Sequence, residues 1–368
     1  MTELDTTHLI SILSNPPKVP YPVILPDFFV DHFVLVPTFG QFIEDLTKLA
    51  KQGGGNILGS KQFIRRGGNC VNTASALFTL GLDSKLIVTT DEYGASLLKA
   101  LVPPGLDLSH VHTDGHLSST VSIETEFEGR NVNLMVSDSG SASSFSFSDL
   151  TPNDIQLVKE SGLVALVNLN HNKHGADLAY DLFKMIKEST DSITFMDIGD
   201  PSSNPHFIEP LLKKAIRSGT IDVLGLNENE IGWLAWALTG HDEKWRNIVN
   251  QPEEWINGAK LISEETGVRV VLHTPHFAAS ISGEDVVSTP AFQVEPKIAC
   301  GSGDAFNAGL IYGLLLDLQY IDQLVLANAV AALYISSSES NPPTRNDILQ
   351  FLKSKPTMSS SGKKLLMG

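Results

Sequence analysis

Cysteine is scarce in this chain: Cys70 and Cys300 are the two present among 368 residues. That excludes a disulfide framework and fits a reducing compartment. Basic charge is short as well. Twenty-six lysines and arginines face 42 acids, a net charge of −16, whereas a nucleic-acid partner needs a basic footprint. No apolar run, residues 324–335 included, reaches the roughly 20 residues that cross a bilayer. The start, Met-Thr-Glu-Leu-Asp, lacks the basic and apolar regions of a signal peptide. The expectation is a soluble cytoplasmic protein with neither membrane nor nucleic-acid partner.

Familiar catalytic signatures are missing too. Gly53-Gly54-Gly55 is not followed by Gly-Lys-Ser/Thr and reads as a helix stop. There is no G-x-S-x-G elbow for acyl transfer, and no G-x-G-x-x-G follows the first strand. His110, His112 and His116 cluster without H-E-x-x-H spacing and read as surface residues rather than zinc ligands.

What is present centres on Cys300-Gly301-Ser302-Gly303-Asp304-Ala305-Phe306-Asn307-Ala308-Gly309. Two glycines let backbone N–H groups converge, and the apolar run behind them reads as a helix whose N-terminus carries about half a positive charge. Together they make an anion site, and phosphate is the usual anion. Asp304 stands at the helix start, either as a cap turned onto the N–H groups or as a base turned out over the anion. A second glycine pair, Gly67-Gly68, opens the helix of Val71, Ala74, Leu77 and Phe78. Its Asn69 and Asn72 can serve sugar hydroxyls, or Asn69 can simply cap.

Along the chain, residues 1–20, with Pro16, Pro17 and Pro20, read as an arm. Residues 21–25 form a first buried strand leading to Asp31, which is either a ligand-facing carboxylate or a turn residue. A helix over 42–51 and a strand over 56–60 follow. Strictly alternating residues 118–127 and their return through Val132, Leu134 and Val136 form a hairpin with one polar face, a separate small sheet. Apolar strands alternate with helical spacing elsewhere, which announces βαβ units and a mostly parallel sheet. Residues 354–368, rich in Ser, Lys and Gly, read as a flexible tail.

An acid after the first strand, a Gly-Gly-Asn helix start, Asn227 and Glu230 after a late strand, and the Gly-x-Gly-Asp loop occur in one order. That order and spacing resemble the ribokinase-like, or pfkB, family of carbohydrate and nucleoside kinases. Gly67-Gly68-x-x-x-Asn72-x-Ala74 and Gly301-x-Gly303-Asp304-Ala305-Phe306-x-x-Gly309 match its two signatures, and the likeness covers about residues 21–353.

The resemblance implies an α/β fold: a three-layer sandwich with a mostly parallel central sheet, plus a small β-sheet lid from about 32–66 and 118–134. It implies a phosphotransferase moving the terminal phosphate of ATP, or possibly ADP, to a hydroxyl of a small sugar or sugar phosphate. A nucleoside acceptor and a non-catalytic sugar-binding regulator are the alternatives. Asp304 resembles the base, and Gly301, Ser302 and Gly303 resemble the anion hole. Asp31, Gly68, Asn69, Asn72 and Asn170 resemble sugar-contacting positions. Arg66, with Arg65, would hold an acceptor phosphate or be a solvated lid charge. Asn227 and Glu230 resemble the pair that organises Mg²⁺, and Thr274 falls beside the nucleotide. A homodimer through the lid is implied as well. Two departures stand out: Ile298 replaces an acid tied to a monovalent-cation loop, and His273-Thr274 replaces a glycine-bearing strand exit.

Overall fold

The computed structural model describes residues 5–297, 300–339 and 341–367, so Ile298 lies outside the described residues. The chain begins with helix α1 (Thr7–Ser14), strands β1 (Pro22–Leu25) and β2 (Phe29–Thr38), helix α2 (Phe39–Lys51) and strand β3 (Lys61–Gly67). Next come α3 (Asn69–Thr79), β4 (Lys85–Leu86), β5 (Val88–Thr89), α4 (Glu92–Leu101) and β6 (Val111–His112). The hairpin β7 (Ser118–Phe127) and β8 (Arg130–Asp138) follows. A regular alternation then runs through α5 (Pro152–Glu160), β9 (Leu163–Val167), α6 (Gly175–Ser189), β10 (Ile193–Asp197), α7 (Ile208–Lys214), β11 (Val223–Leu226), α8 (Glu228–Leu238) and α9 (Glu243–Arg246). The last third holds α10 (Trp255–Thr266), β12 (Arg269–His273), β13 (Phe277–Ser282), β14 (Asp285–Pro290) and four helices. These are α11 (Ser302–Leu315), α12 (Tyr320–Ser336), α13 (Arg345–Lys353) and α14 (Ser360–Leu365).

Eight strands build the central sheet in the order β14-β13-β12-β11-β10-β9-β1-β4. From β4 to β12 every pairing is parallel, and β13 and β14 add an antiparallel edge. A parallel strand covered on both faces must be apolar throughout, and β9, Leu-Val-Ala-Leu-Val, is buried at every position. Two apolar cores flank the sheet. One gathers α1, α3, α11 and α12; the other gathers α6, α7, α8 and α10. This is the expected three-layer sandwich.

A second sheet, in the order β3-β2-β7-β8, stands apart as the expected lid. Its outer pairs are antiparallel, while β2 and β7 run parallel, placing Asp31 between Arg65 and Thr120. The strand expected over 56–60 is displaced to β3, and residues 56–60 connect it to α2. Their residues alternate too little to bury one face.

Both ends of the chain differ from expectation. The arm contains α1, whose Leu9 and Leu13 are fully buried and whose His8 Nδ1 meets Asp322 at 2.7 Å. The i,i+4 leucine pair is a helical face too short to stand out among three prolines. The expected flexible tail carries α14 and is tied to the body. Gln293 N–H donates to the Thr357 carbonyl at 2.8 Å, and Ser359 N–H to Ala291 at 2.7 Å. Gly362 lies so near the His276 carbonyl that no side chain fits there.

His110 and His112 also have a role that spacing did not reveal. His110 Nδ1 and His112 Nε2 meet the two oxygens of buried Asp154 at 2.6 and 2.9 Å. That carboxylate also closes the capping box of α5.

The docking of α1 predicts that Leu13→Ala lowers unfolding free energy by about 2–5 kcal/mol, read by urea denaturation. An unchanged midpoint would mean that residues 1–20 contribute nothing to the core.

Candidate active site

The cleft lies at the carboxyl ends of the parallel strands, where α3 and α11 both begin. Their two N-termini are used differently. At α3, Asp27 accepts the N–H groups of Asn69 (3.0 Å) and Cys70 (2.8 Å), and also the Asn168 side-chain amide (2.7 Å). Gly68 makes this possible: its φ is +88°, and a Cβ there would come within 2.9 Å of the Asp27 carbonyl. Burial still pushes the Asp27 carboxyl up to about 6, against the three donors that favour the anion. The protein's own carboxylate therefore occupies the positive end of α3.

At α11 no side chain caps the helix. Its first turn holds free N–H groups behind Gly301, whose φ of +84° sets the turn. A Cβ on Gly301 would meet the Tyr334 hydroxyl at 2.5 Å, and that hydroxyl donates to the Cys300 carbonyl at 3.3 Å. An uncapped helix start has the N–H groups and the dipole to receive an anion.

Asp304 is the third residue of α11 and is 6% exposed. It does not cap. Asn72 Nδ2, from the first turn of α3, donates to its Oδ2 at 3.0 Å. Burial first, then the nearby charges of Asp197 and Asp27, raise its pKa well above the carboxylate range; Asn72 and Arg66 oppose the shift. One turn on, Asn307 Nδ2 donates to Asp197 Oδ2 at 2.6 Å, fastening α11 to the end of β10.

The lid supplies the opposite wall. Asp31 packs its carboxylate directly on Gly67, in the space a Cβ there would take, and its carboxyl is pushed up to about 6 by burial and by Asp27. The Thr120 hydroxyl, on the neighbouring strand, supports the anion. Arg65 shares this face, its guanidinium 4.7 Å over the Phe63 ring and 5.6 Å over Phe33. Burial and then the carboxylates of Asp304, Asp31 and Glu124 push the Cys300 thiol up to about 11, so lid and anion loop are electrostatic neighbours.

The other expected positions divide. Asn69 opens α3 with its backbone, leaving its side chain half-buried beside the cleft. Arg66 donates to the Leu101 carbonyl at 3.3 Å, which commits it to the junction of lid and body. Asn170 is turned into the protein, donating to the Asp200 carbonyl with its Oδ1 buried and unpartnered. Asn168, two residues earlier with φ 55°, is the amide that reaches the cleft floor, and no local pattern marks it.

Asn227 and Glu230 form a reciprocal capping box on α8. Asn227 Oδ1 accepts the Glu230 N–H at 2.9 Å, and Glu230 accepts both the N–H and Nδ2 of Asn227 at 2.9 and 3.0 Å. Burial, followed by Asp197, raises Glu230 well above the usual range, with Asp200 and Glu228 adding to it. Thr274 belongs to the β12–β13 turn: its hydroxyl donates to the Phe277 carbonyl at 2.8 Å and accepts the His276 and Phe277 N–H groups. The neighbouring His273 faces the anion loop instead.

Comparison with known proteins identifies the family and the fold. The pfkB family carbohydrate kinase model matches residues 35–347. The chain is 26% identical over 313 residues to a 5-dehydro-2-deoxygluconokinase of Geobacillus kaustophilus, covering 78% of this chain and 84% of the relative. It is 23% identical to a ribokinase of Haemophilus influenzae, covering 88% and 95%. The fold superposes on Arabidopsis thaliana ribokinase, solved with ribose and ATP, with a TM-score of 0.66 at 18% identity, covering 91% and 99% of the two chains. With 35–347 matched, the two glycine-opened helices and the separate lid have a common explanation: this chain belongs to the pfkB family of carbohydrate kinases.

Proposed function

We propose that this kinase moves the terminal phosphate of a nucleotide, ATP or ADP, to a hydroxyl of a small sugar or sugar phosphate, with Asp304 as the base. The observation that carries the reading is the buried Asp304 carboxylate, held by Asn72 beside the uncapped start of α11. Asp304 takes the acceptor's proton as the phosphoryl group arrives, and the N–H groups of residues 301–303 stabilise the charge on that group. A carboxylate with a raised pKa is a stronger base than an exposed one. Asp31, Asn69 and the backbone at Gly68 bind the acceptor hydroxyls, and the lid excludes water that would otherwise accept the phosphate. Arg65 fits an acceptor that already carries phosphate better than Arg66 does, because Arg65 shares the face of Asp31.

Mg²⁺ would be organised near Asn227 and Glu230, where Asp197, Asp200 and Glu228 add negative charge. Among the described residues no three acids, histidines or cysteines converge as direct ligands, so contact through water is the arrangement these side chains allow. When bound, the ion neutralises donor phosphates.

The lid's outer face carries Ile64, Val121, Leu134 and Val136, with His32 between Ile64 and Val121, and Val136 is 68% exposed. A partly apolar exposed sheet face of this kind suits a second copy of the chain, and we read it as the dimer surface.

A coupled assay of ATP and ADP against sugars, sugar phosphates and nucleosides tests the reading. Turnover restricted to nucleosides, or binding without turnover, overturns it. Asp304→Asn is expected to lower kcat about 10²–10⁴-fold with the fold retained; near-normal turnover removes the base assignment. An ionised Asp31 accepts hydroxyls more strongly than a protonated one, so acceptor affinity should fall as pH drops through about 6. In Asp31→Asn that pH dependence should vanish; its persistence would assign it elsewhere.

A further inference from the structure

At His276, in the β12–β13 turn, the C-terminal segment meets two pieces of chain that border the anion loop. The His276 carbonyl accepts the Ala291 N–H at 2.8 Å, and residues 291–297 run from there toward the loop at 301–303. The same carbonyl lies against Gly362, where a Cβ would overlap its oxygen. On the ring side, His276 Nδ1 shares a hydrogen bond with the Ser361 hydroxyl at 3.0 Å. The ring also lies nearly parallel to Trp255, centroids 6.0 Å apart and planes at 10°. Residues 357–359 pair with 291–293: besides the two backbone hydrogen bonds, Met358 faces Phe292 in an antiparallel bridge. Leu365 and Leu366 then root α14 against the core of α6, α7, α8 and α10. Three positions before His276, His273 holds its Cε1 3.5 Å from where a Cβ on Gly303 would lie, so this turn is an immediate wall of the loop.

We propose that Ser361 and Gly362 are positioning residues: acting through His276, they strap the β12–β13 turn to residues 291–297 and so fix the wall of the anion loop. The inference rests on the kinase reading above, in which that loop receives the donor phosphate. Glycines at 301 and 303 carry no side chain with which to hold a wall in place. Strands β13 and β14 form the antiparallel edge of the sheet, so the turn between β12 and β13 has fewer neighbours than the ends of the inner strands. Phosphoryl transfer depends on alignment, and a misplacement of about 1 Å far from the chemistry can cost about 100-fold in rate. The strap supplies the missing support from a part of the chain that touches no reacting atom.

Full-length variants test this by hydrogen exchange and steady-state kinetics. Gly362→Val forces α14 off the turn, Ser361→Ala removes the hydroxyl, and Ser361→Thr returns it. Gly362→Val should speed amide exchange over 274–278 and 291–297 and raise the nucleotide KM about 10-fold or more, with the acceptor KM unchanged. Ser361→Ala should raise the nucleotide KM about 2- to 10-fold, the worth of one hydrogen bond, and Ser361→Thr should recover most of that loss. Wild-type exchange and nucleotide KM in Gly362→Val or in Ser361→Ala would overturn the proposal. So would a lowered melting temperature with both KM values moving together, the mark of a tail that only stabilises the fold. If Gly362→Val does not fold, the Ser361 pair decides alone. Absence of turnover in the unmodified protein would overturn the kinase reading, and exchange would still decide whether the strap holds the turn.

Discussion

One hydrogen bond, from Asn72 Nδ2 to Asp304 at 3.0 Å, joins the starts of the two helices on which the site depends. Each helix begins with glycines and each offers free N–H groups, so on local chemistry either could hold a phosphate. The difference is made by Asp27. Its carboxylate takes the N–H groups of Asn69 and Cys70, which leaves α11 as the helix start open to an outside anion. With α3 neutralised internally, Asn72 is free to cross to Asp304. The bond keeps that carboxylate beside the anion site, although burial works against its charge.

The cleft concentrates like charge. Asp27 and Asp31 are each pushed up to about 6, and Asp304 and Glu230 are raised well above the usual carboxylate range, with burial the first cause in every case. For a carboxyl raised on folding, the stability it contributes is fully present below its unfolded pKa. That stability is lost as pH rises through the folded value. The unliganded cleft is therefore strained at neutral pH, and the chain bears this as site-building proteins commonly do. On the proposed function, acceptor hydroxyls on Asp31 and a cation beside Glu230 would relieve the same charges that the chemistry uses. Specificity and stability are set by one group of residues.

The sheet was legible in the sequence because an all-apolar run such as β9 has few other uses, and the lid hairpin because its alternation differs from those runs. The two glycine loops were legible because φ values of +88° at Gly68 and +84° at Gly301 suit glycine. What stayed hidden depends on partners far along the chain. Asp27 is an ordinary acid until α3 and Asn168 close on it, and Asn168 is separated from it by 141 positions. Thr274 and His273 are adjacent, yet a three-residue turn consumes the first and leaves the second facing α11. Periodicity cannot separate them. Helices α1 and α14 are only 8 and 6 residues long, so tertiary docking rather than pattern defines them.

The lid and the floor are one continuous piece of chain. Strand β1 ends at Leu25 and β2 begins at Phe29, so three residues separate the central sheet from the lid. Asp27 lies within that link, anchored to α3; Asp31 lies four residues on, carried by the lid. Movement of the second sheet relative to α3 would change the distance between these two carboxylates, and with it the repulsion that raises the Asp31 pKa. On the proposed function, an acceptor bonded to Asp31 would stabilise the Asp31 anion and favour a lid position over Asp304. On that reading, closure would be coupled to occupancy through charge.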